Sequence, residues 1–350
     1  MNGKRRVEIS ALNVLFSFTV IFIHVNSYAI SAFMPGTIKY TLVMIPWRLS
    51  SFVVPGFIML SGVKLFLNGR EQKPYFKHIK SRLNSIVKPY AICFVIYYIY
   101  FMIAKEYPPD IEYVINQLHY IFTASVWYNI PFMIRNLFQF IVVNDGLSLG
   151  FIIKNFLSGG LVYHLYFIPL ILQFDALLPL WKKTVTKYSP VKVLPFVLLI
   201  TPLCEVFLPQ VITSVFPNAQ FVYNDRIFTS YLAFWLIGCY IGKYYDSYCK
   251  ILKNKFSLIC AFYGISLALV TLFSYISYNE IAQVPYINFI NYLYALCTLM
   301  FLYAVSLKIP QNIFEKLPAL SKIDRSSYLI YLYHVLPLMI IYDIVIFFFN

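Results

Sequence analysis

The first long apolar run of the chain contains an asparagine and a histidine. The run, VEISALNVLFSFTVIFIHVN, covers residues 7–26 and follows the basic residues KRR at 4–6. Asn13 and His24 are eleven positions apart, which on an α-helix brings both side chains to nearly the same face, about 16 Å apart along the axis. An ionisable side chain inside a membrane helix is costly and generally faces a bundle interior or a wet cavity. His24 is therefore a candidate for proton transfer or nucleophilic chemistry, the alternative being that both residues only hydrogen-bond to neighbouring helices.

Other polar residues interrupt later apolar runs. Arg48 lies near one end of the second run and needs an anionic partner or water, unless its side chain extends to the interface. His164 precedes the run LYFIPLIL, where a histidine is either structural or functional. Tyr331 and His334 are three residues apart in the last run and so share one side of a helix.

A basic segment, GREQKPYFKHIKSRLNSIVKPY, follows the second apolar run. Its charges would suit the phosphates of a cytoplasmic cofactor such as acyl-coenzyme A, because an arginine presents a planar fork to phosphate oxygens. The alternative is that they set the membrane topology and bind anionic lipid. His78 is expected to lie in this loop without a special role.

The composition excludes an ordinary soluble domain. Of the 350 residues, 60% are apolar and only 12% are charged, whereas soluble domains carry about 25% charged residues. The net charge of +14 does not indicate nucleic-acid binding, because the basic residues lie between apolar runs, where they set topology. The six cysteines have no CxxC spacing, and we expect neither disulfides nor a metal site. The HExxH, GxSxG and Walker motifs are absent from the sequence.

The composition and the long apolar runs predict an all-α, polytopic transmembrane helix bundle of about 9–10 spans. Most basic residues would face the cytoplasm if the N-terminus is cytoplasmic, as the positive-inside rule requires. We interpret residues 1–350 as a single membrane domain without a soluble appendage. An outer region at 105–161 would contain a short re-entrant or interfacial helix at 130–143. The nine firm spans are predicted at 9–30, 41–67, 86–104, 162–181, 193–209, 228–244, 257–277, 289–307 and 327–348.

Six segments, in order, resemble motifs of the acyltransferase-3 family of integral membrane acyltransferases. The first is NVLFSFTVIFIH, which is similar to the family's opening helix and its histidine. VVPGFIMLSGVKLF resembles the second-helix motif that ends in Ser-Gly, and KSRLNSIVKPY resembles the basic start of the third helix. The other three are YHLYFIPLIL, FWLIGCYIGKYY and SSYLIYLYHVLPL. Two positions depart from the family pattern, since Asn13 and Ser85 stand where the family usually has arginine.

The resemblance implies an enzyme that moves an acyl group, often acetyl, from cytoplasmic acyl-coenzyme A to a hydroxyl of a surface or lipid-linked glycan. It implies that no cofactor is bound permanently. The protein is expected to lie in a bacterial plasma membrane, with membrane lipid as a partner. Nucleic acid is not expected as a partner. His24 would accept the hydroxyl proton or carry the acyl group. The resemblance also implies that Lys80, Arg82, Lys88 and Ser61 bind the acyl donor and that Asn13 orients the reacting groups. It implies that the substrate-binding residues are Arg48, His164, Tyr331 and His334.

Two other functions fit a helical bundle with scattered polar residues. If the protein is a polysaccharide exporter or flippase, its deletion would trap glycan inside the cell without a change in the acyl content of the glycan. A small-molecule permease is the other alternative, although the chain lacks the paired, broken helices that mark inverted-repeat transporters.

Overall fold

The computed structural model of the protein describes residues 6–106, 149–215 and 224–349. Within those ranges every regular element is helical and no strand is present. The prediction of an all-α helix bundle is confirmed. The short apolar helix predicted at 130–143 lies outside the described residues.

The helices follow the apolar runs of the sequence, with short 3-10 turns at 50–52, 70–72, 224–226 and 228–231. Pro35 and Gly36 end the first run, and the Thr37 side chain then caps the second helix by accepting a hydrogen bond from the backbone N–H of Tyr40 at 3.2 Å. The helices are α1 (Val7–Ser31), α2 (Ile38–Leu49), α3 (Val53–Leu67), α4 (Tyr75–Arg82), α5 (Lys88–Glu106), α6 (Leu149–Ser158), α7 (Phe167–Ala176), α8 (Leu178–Lys187), α9 (Pro190–Val215), α10 (Leu232–Lys243), α11 (Tyr245–Asn254), α12 (Phe256–Tyr278), α13 (Ile287–Ser306), α14 (Ile313–Lys316), α15 (Pro318–Tyr333) and α16 (Val335–Phe349).

Six segments of the described chain are long and apolar enough to cross a membrane, so the protein is a multi-pass membrane protein. A seventh span results if α15 and α16, which meet at an angle of 49°, cross as one broken helix. The predicted spans at 162–181 and 228–244 contain shorter helices, α7 with 10 residues and α10 with 12. The six segments are Val7–Ser31, Ile38–Leu67, Tyr75–Met102, Pro190–Ser214, Phe256–Tyr278 and Ile287–Ser306.

Helix α10 is apolar and packs closely against α3 inside the protein. Gly238 of α10 lies so close to α3 that an added Cβ atom would be 2.1 Å from the carbonyl oxygen of Met59. Gly62 of α3 is similarly close to the carbonyl oxygen of Trp235, at 2.7 Å from an added Cβ. Small residues let two helix backbones approach in this way, so α10 is a core element although it is too short to span a bilayer.

The chain forms two compact units, one of residues 1–80 and 173–350, the other of residues 81–172. In the first unit α1 packs against α2, α3, α13 and α15, and α12 packs against α13. In the second unit a π-helical turn, Leu83–Val87, leads into α5. The Tyr90 hydroxyl on α5 donates a hydrogen bond to the carbonyl oxygen of Phe156 on α6 at 2.7 Å, which joins these two helices.

Candidate active site

Two imidazole rings meet inside the first unit. His24 on α1 and His334 at the junction of α15 and α16 have ring centroids 5.0 Å apart. His334 is buried and His24 is partly buried. The sequence marked both residues for function, His24 as catalytic and His334 as substrate-binding, but it did not indicate that they are neighbours.

His334 lies at the break between α15 and α16, and its contacts with the backbone of α15 determine which ring nitrogen carries the hydrogen in the neutral form. Pro337 has no backbone N–H, so the carbonyl of Tyr333 loses its helical donor close to the bend. The Nδ1 atom of His334 lies 2.8 Å from the carbonyl oxygen of Tyr331 and 3.1 Å from that of Ile330. A carbonyl oxygen only accepts hydrogen bonds, so Nδ1 carries the hydrogen. In the neutral ring the basic nitrogen of His334 is therefore Nε2.

Asn13 forms the second contact between α1 and α15. Its Nδ2 atom donates a hydrogen bond to Oδ1 of Asp324 at 2.9 Å. Its Oδ1 atom accepts one from the Lys64 ammonium group of α3 at 2.8 Å. Asn13 is buried, and it links a cation on one helix to an acid on another.

The two contacts show that α1 and α15 run side by side in the same direction. Asn13 pairs with Asp324 and, eleven residues later, His24 meets His334, which is ten residues after Asp324. At about 1.5 Å per residue the two polar contacts are about 15–16 Å apart along the helices. The predicted polar face of α1 therefore meets the polar face of the last broken helix.

A cavity of about 890 Å³ lies beside the Asn13 contact. Its volume falls in the range of sites that hold a small-molecule ligand or cofactor. Three of the lining side chains are cationic and two are acidic. The lining residues are Arg6, Glu8, Ile9, Ser10, Asn13, Lys64, Leu67, Asn68, Arg70, Gln311 and Asp324.

The acidic and basic groups at the rim of this cavity are held differently. Glu8 is buried and accepts a hydrogen bond from the Tyr245 hydroxyl of α11 at 2.5 Å. The guanidinium group of Arg6 lies 4.8 Å from the centre of the Tyr245 ring and 3.9 Å from a carboxylate oxygen of Asp246. These contacts fix the N-terminal end of α1 against α11.

Arg48 meets a different set of residues. Its guanidinium carbon lies 5.6 Å from the centre of the Tyr278 ring at the end of α12, and its charge interacts with that of Glu205 on α9. Its Nε atom is buried and, among the described residues, has no hydrogen-bond partner. Arg48 thus has the aromatic and acidic neighbours that an arginine in an apolar segment requires.

His164 belongs to the second unit. It is buried, and its ring centre lies 5.6 Å from that of Tyr97 on α5 and 5.9 Å from that of Tyr163. Its surroundings in this unit are therefore aromatic. Its assignment as a substrate-binding residue stays a prediction.

The predicted donor-binding residues are distributed over both units. Lys80, on α4, and Lys88, at the start of α5, are exposed, while Arg82 is partly buried just before the π-helical turn. The Ser61 hydroxyl donates to the carbonyl oxygen of Phe57 at 2.8 Å, within its own helix. Tyr331, the remaining predicted substrate-binding residue, is buried with its ring centre 6.1 Å from that of His334.

Sequence reasoning missed several polar partners, among them Asp324 and Lys64, which bind Asn13, and the buried pair of His78 and Asp175. Lys64 is not among the predicted site residues, although a lysine inside LSGVKLFL interrupts an apolar helix. His78 was expected in a loop, but it lies on α4 and is buried, with Nε2 2.9 Å from the Asp175 carboxylate of α7. An isolated Asp in the apolar run FIPLILQFDALL was the available signal for the second pair.

The family comparison agrees with these observations. A family model described as an acyltransferase domain, that of acyltransferase-3, matches residues 6–350 of the chain. Comparison with curated proteins and with solved structures gives no match. The match covers both polar contacts of α1, the cavity and nearly the whole chain, so this multi-pass membrane protein belongs to the acyltransferase-3 family, whose members transfer acyl groups other than amino-acyl groups.

Proposed function

We propose that the protein moves an acyl group, expected to be acetyl, from cytoplasmic acyl-coenzyme A to a hydroxyl of an extracytoplasmic or lipid-linked polysaccharide. The observation that carries this proposal is the pair of imidazoles of His24 and His334, 5.0 Å apart on helices that also line a cavity of about 890 Å³. Such a transfer needs two parts, a base inside the bundle and a ligand-sized space beside the same two helices.

His24 acts as the base in this reaction. It takes the proton of the acceptor hydroxyl while the hydroxyl oxygen attacks the thioester carbonyl carbon. The new C–O ester bond forms, the C–S bond breaks, and the coenzyme leaves as a thiolate that takes up the proton. In a second version the imidazole nitrogen attacks the thioester carbonyl carbon, and the C–S bond breaks with loss of the coenzyme thiolate, which takes up the imidazole proton. The acceptor hydroxyl then forms the ester while the acyl–nitrogen bond breaks and the freed imidazole takes up the hydroxyl proton.

His334 orients the reacting groups. Its Nδ1–H is bound to the Tyr331 carbonyl, so in the neutral ring Nε2 is the nitrogen that can accept a hydrogen bond from the acceptor hydroxyl or from the His24 ring. Tyr331 packs beside it and contributes to the same acceptor site. The amide of Asn13 orients the donor at the other end of α1.

The remaining assignments follow the family resemblance. Lys80, Arg82 and Lys88 bind coenzyme A phosphates at the cytoplasmic face, and Ser61 on the second span is a further donor-binding residue. Arg48 and His164 contact the glycan or the oxyanion of the transition state at the outer face. The basic residues between spans support a cytoplasmic N-terminus, and the parallel course of α1 and α15 agrees with it because both helices would then run outward. We place the protein in a bacterial plasma membrane, surrounded by lipid.

The test is acyl transfer by the purified protein. Wild-type protein in lipid nanodiscs, given labelled acetyl-coenzyme A and extracted surface glycan, should form labelled glycan ester. His24→Ala should lose at least about 10²-fold in rate, the effect expected when a general base is removed. Val25→Ala, which changes a neighbouring side chain of α1 that is 46% exposed, is the matched control and should retain transfer.

Full transfer by His24→Ala would overturn the role of that imidazole. The exporter alternative is separated by comparing surface glycan with and without the gene. Loss of ester groups from glycan that still reaches the surface supports the transferase. Glycan retained inside the cell with its ester content unchanged would overturn it in favour of export.

A further inference from the structure

The cavity beside the Asn13 contact has an excess of cationic side chains. Arg6, Lys64 and Arg70 line it, against the two acids Glu8 and Asp324. Each acid already accepts a hydrogen bond, Glu8 from the Tyr245 hydroxyl and Asp324 from the Asn13 amide. The lining thus carries one more cationic than acidic side chain, and the two acids already have hydrogen-bond donors within the protein.

Lys64 is the cation that the fold holds in place at this cavity. Its ammonium group has three N–H donors, and the Asn13 amide oxygen accepts one of them at 2.8 Å. In the part of the chain that the structure describes, Lys64 has no carboxylate within 4.0 Å, since Asn13 stands between it and Asp324. The ammonium group is thus fixed in position but keeps donors for a ligand in the cavity.

Asn13 has its orientation set by its two neighbours. Its Nδ2 must face the Asp324 carboxylate and its Oδ1 must face the ammonium group, because the opposite arrangement would place donor against donor and acceptor against acceptor. Asp324 is therefore a positioning residue that acts on Lys64 through the Asn13 amide. Its charge also offsets that of the ammonium group in an apolar helix at a distance that leaves the ammonium group accessible.

Arg70 adds a second cation to the same wall. It follows the C-terminal end of α3 and is exposed, and no ion pair of Arg70 is found in the described part of the chain. An arginine fork and a lysine point charge together are suited to phosphate oxygens. A ligand with adjacent phosphates fits this pair better than a single carboxylate.

We propose that Lys64, held by Asn13 and Asp324, is the phosphate-binding residue of this cavity, with Arg70 as its second contact, and that the ligand is the diphosphate part of the acyl donor. This inference rests on the proposed function for the identity of the donor. The interval of about 16 Å between Asn13 and His24 is then spanned by the flexible pantetheine arm, which separates the diphosphate from the thioester. The assignment adds Lys64, Arg70 and Asp324 to the donor-binding residues expected from the sequence.

The experiment is equilibrium binding of two probes, coenzyme A and inorganic diphosphate, to purified protein in nanodiscs. Lys64→Gln should weaken the binding of both by about 10- to 100-fold, the effect of losing one hydrogen-bonded charge. Lys64→Arg should retain most of the binding. Arg70→Gln changes an exposed side chain and should weaken both probes by a smaller factor, which gives a second measurement if Lys64→Gln does not fold. Lys322→Gln removes an exposed cation from α15 outside the cavity and should leave binding unchanged.

The outcomes separate this inference from the proposed function. Coenzyme A binding that is equal in wild type, Lys64→Gln and Arg70→Gln overturns the inference and leaves the proposed donor intact. Diphosphate binding that depends on Lys64, without any binding of coenzyme A, supports the phosphate site and overturns the proposed donor. Absence of binding of either probe to the wild type overturns both.

Discussion

The ring of His24 lies 5.0 Å from the ring of His334, although one belongs to the first helix of the chain and the other to the last broken helix. The same two helices are joined again at Asn13 and Asp324, which are separated by 311 positions in the sequence. The first contact brings two proton-accepting rings together, and the second lines a cavity. The function proposed above assigns a chemical step to the first contact and ligand binding to the second, both on a single pair of helices.

His334→Gln should lower the rate of acyl transfer by about 10²-fold or more with little change in the KM of the donor. Glutamine can still hydrogen-bond, but its flexible side chain does not hold an acceptor at the position where Nε2 orients the acceptor hydroxyl or the His24 ring, and a small misplacement of reacting groups can cost about 10²-fold in rate. Steady-state kinetics with labelled acetyl-coenzyme A and extracted glycan measure both constants. Ile340→Ala, at a position of α16 that is 40% exposed, is the control and should resemble wild type. An unchanged kcat with a raised donor KM would contradict a role in the reaction step.

The sequence predicted His24 and Asn13 because both belong to one helix, where spacing alone determines the face. Their partners depend on which helices pack together, and local periodicity does not contain that information. Lys64 is an example, since its basic charge near the end of a span has the same appearance whether it sets topology or binds Asn13. The short helix α10 is another, because an apolar sequence such as FWLIGCYIG predicts a span whether or not the helix also packs closely against a neighbour such as α3.

Gly238→Ala should destabilise the protein by about 1–3 kcal/mol, the usual cost of overpacking. An added Cβ atom would lie 2.1 Å from the backbone oxygen of Met59, and neither backbone can move without separating α3 from α10. Thermal unfolding in detergent measures the effect. Gly264→Ala on α12 is the matched control, because an added Cβ atom there meets nothing within 4 Å. The control should be neutral or stabilising by about 0.5–1 kcal/mol, since alanine is the better helix former. Equal unfolding temperatures for the two variants would show that the crossing is not tightly packed.

Asp175→Asn should destabilise the first unit by at least about 1–3 kcal/mol. The carboxylate lies 2.9 Å from Nε2 of His78, both side chains are about 95% buried, and an amide in its place leaves the imidazole with a weaker or mismatched partner. Tyr75→Phe, which removes an exposed hydrogen bond to the carbonyl of Ala176, is the control and should cost about 1 kcal/mol or less. Thermal unfolding and limited proteolysis at α4 follow the change. A variant Asp175→Asn as stable as Tyr75→Phe would mean that the buried pair contributes nothing to the attachment of α4.

Tyr245→Phe should lower stability at neutral pH and flatten its dependence on alkaline pH. The hydroxyl donates to the buried carboxylate of Glu8, and its loss leaves that acceptor without its donor, at a cost of about 1–3 kcal/mol. Burial, together with the hydrogen bond to Glu8, raises the pKa of Tyr245 above its ordinary value. The folded protein therefore keeps a proton that the unfolded chain releases near pH 10, so this contribution is complete below pH 10 and is lost as the pH rises further.

Thermal unfolding of the wild type and of Tyr245→Phe between pH 8 and about pH 11 measures both effects. Tyr286→Phe is the control, because that tyrosine is 53% exposed and its replacement should change neither the neutral stability nor the slope. The wild type should lose stability more steeply than Tyr245→Phe above about pH 10. Identical slopes would contradict a protonated Tyr245 held against Glu8, and with it the attachment of the N-terminal end of α1 to α11.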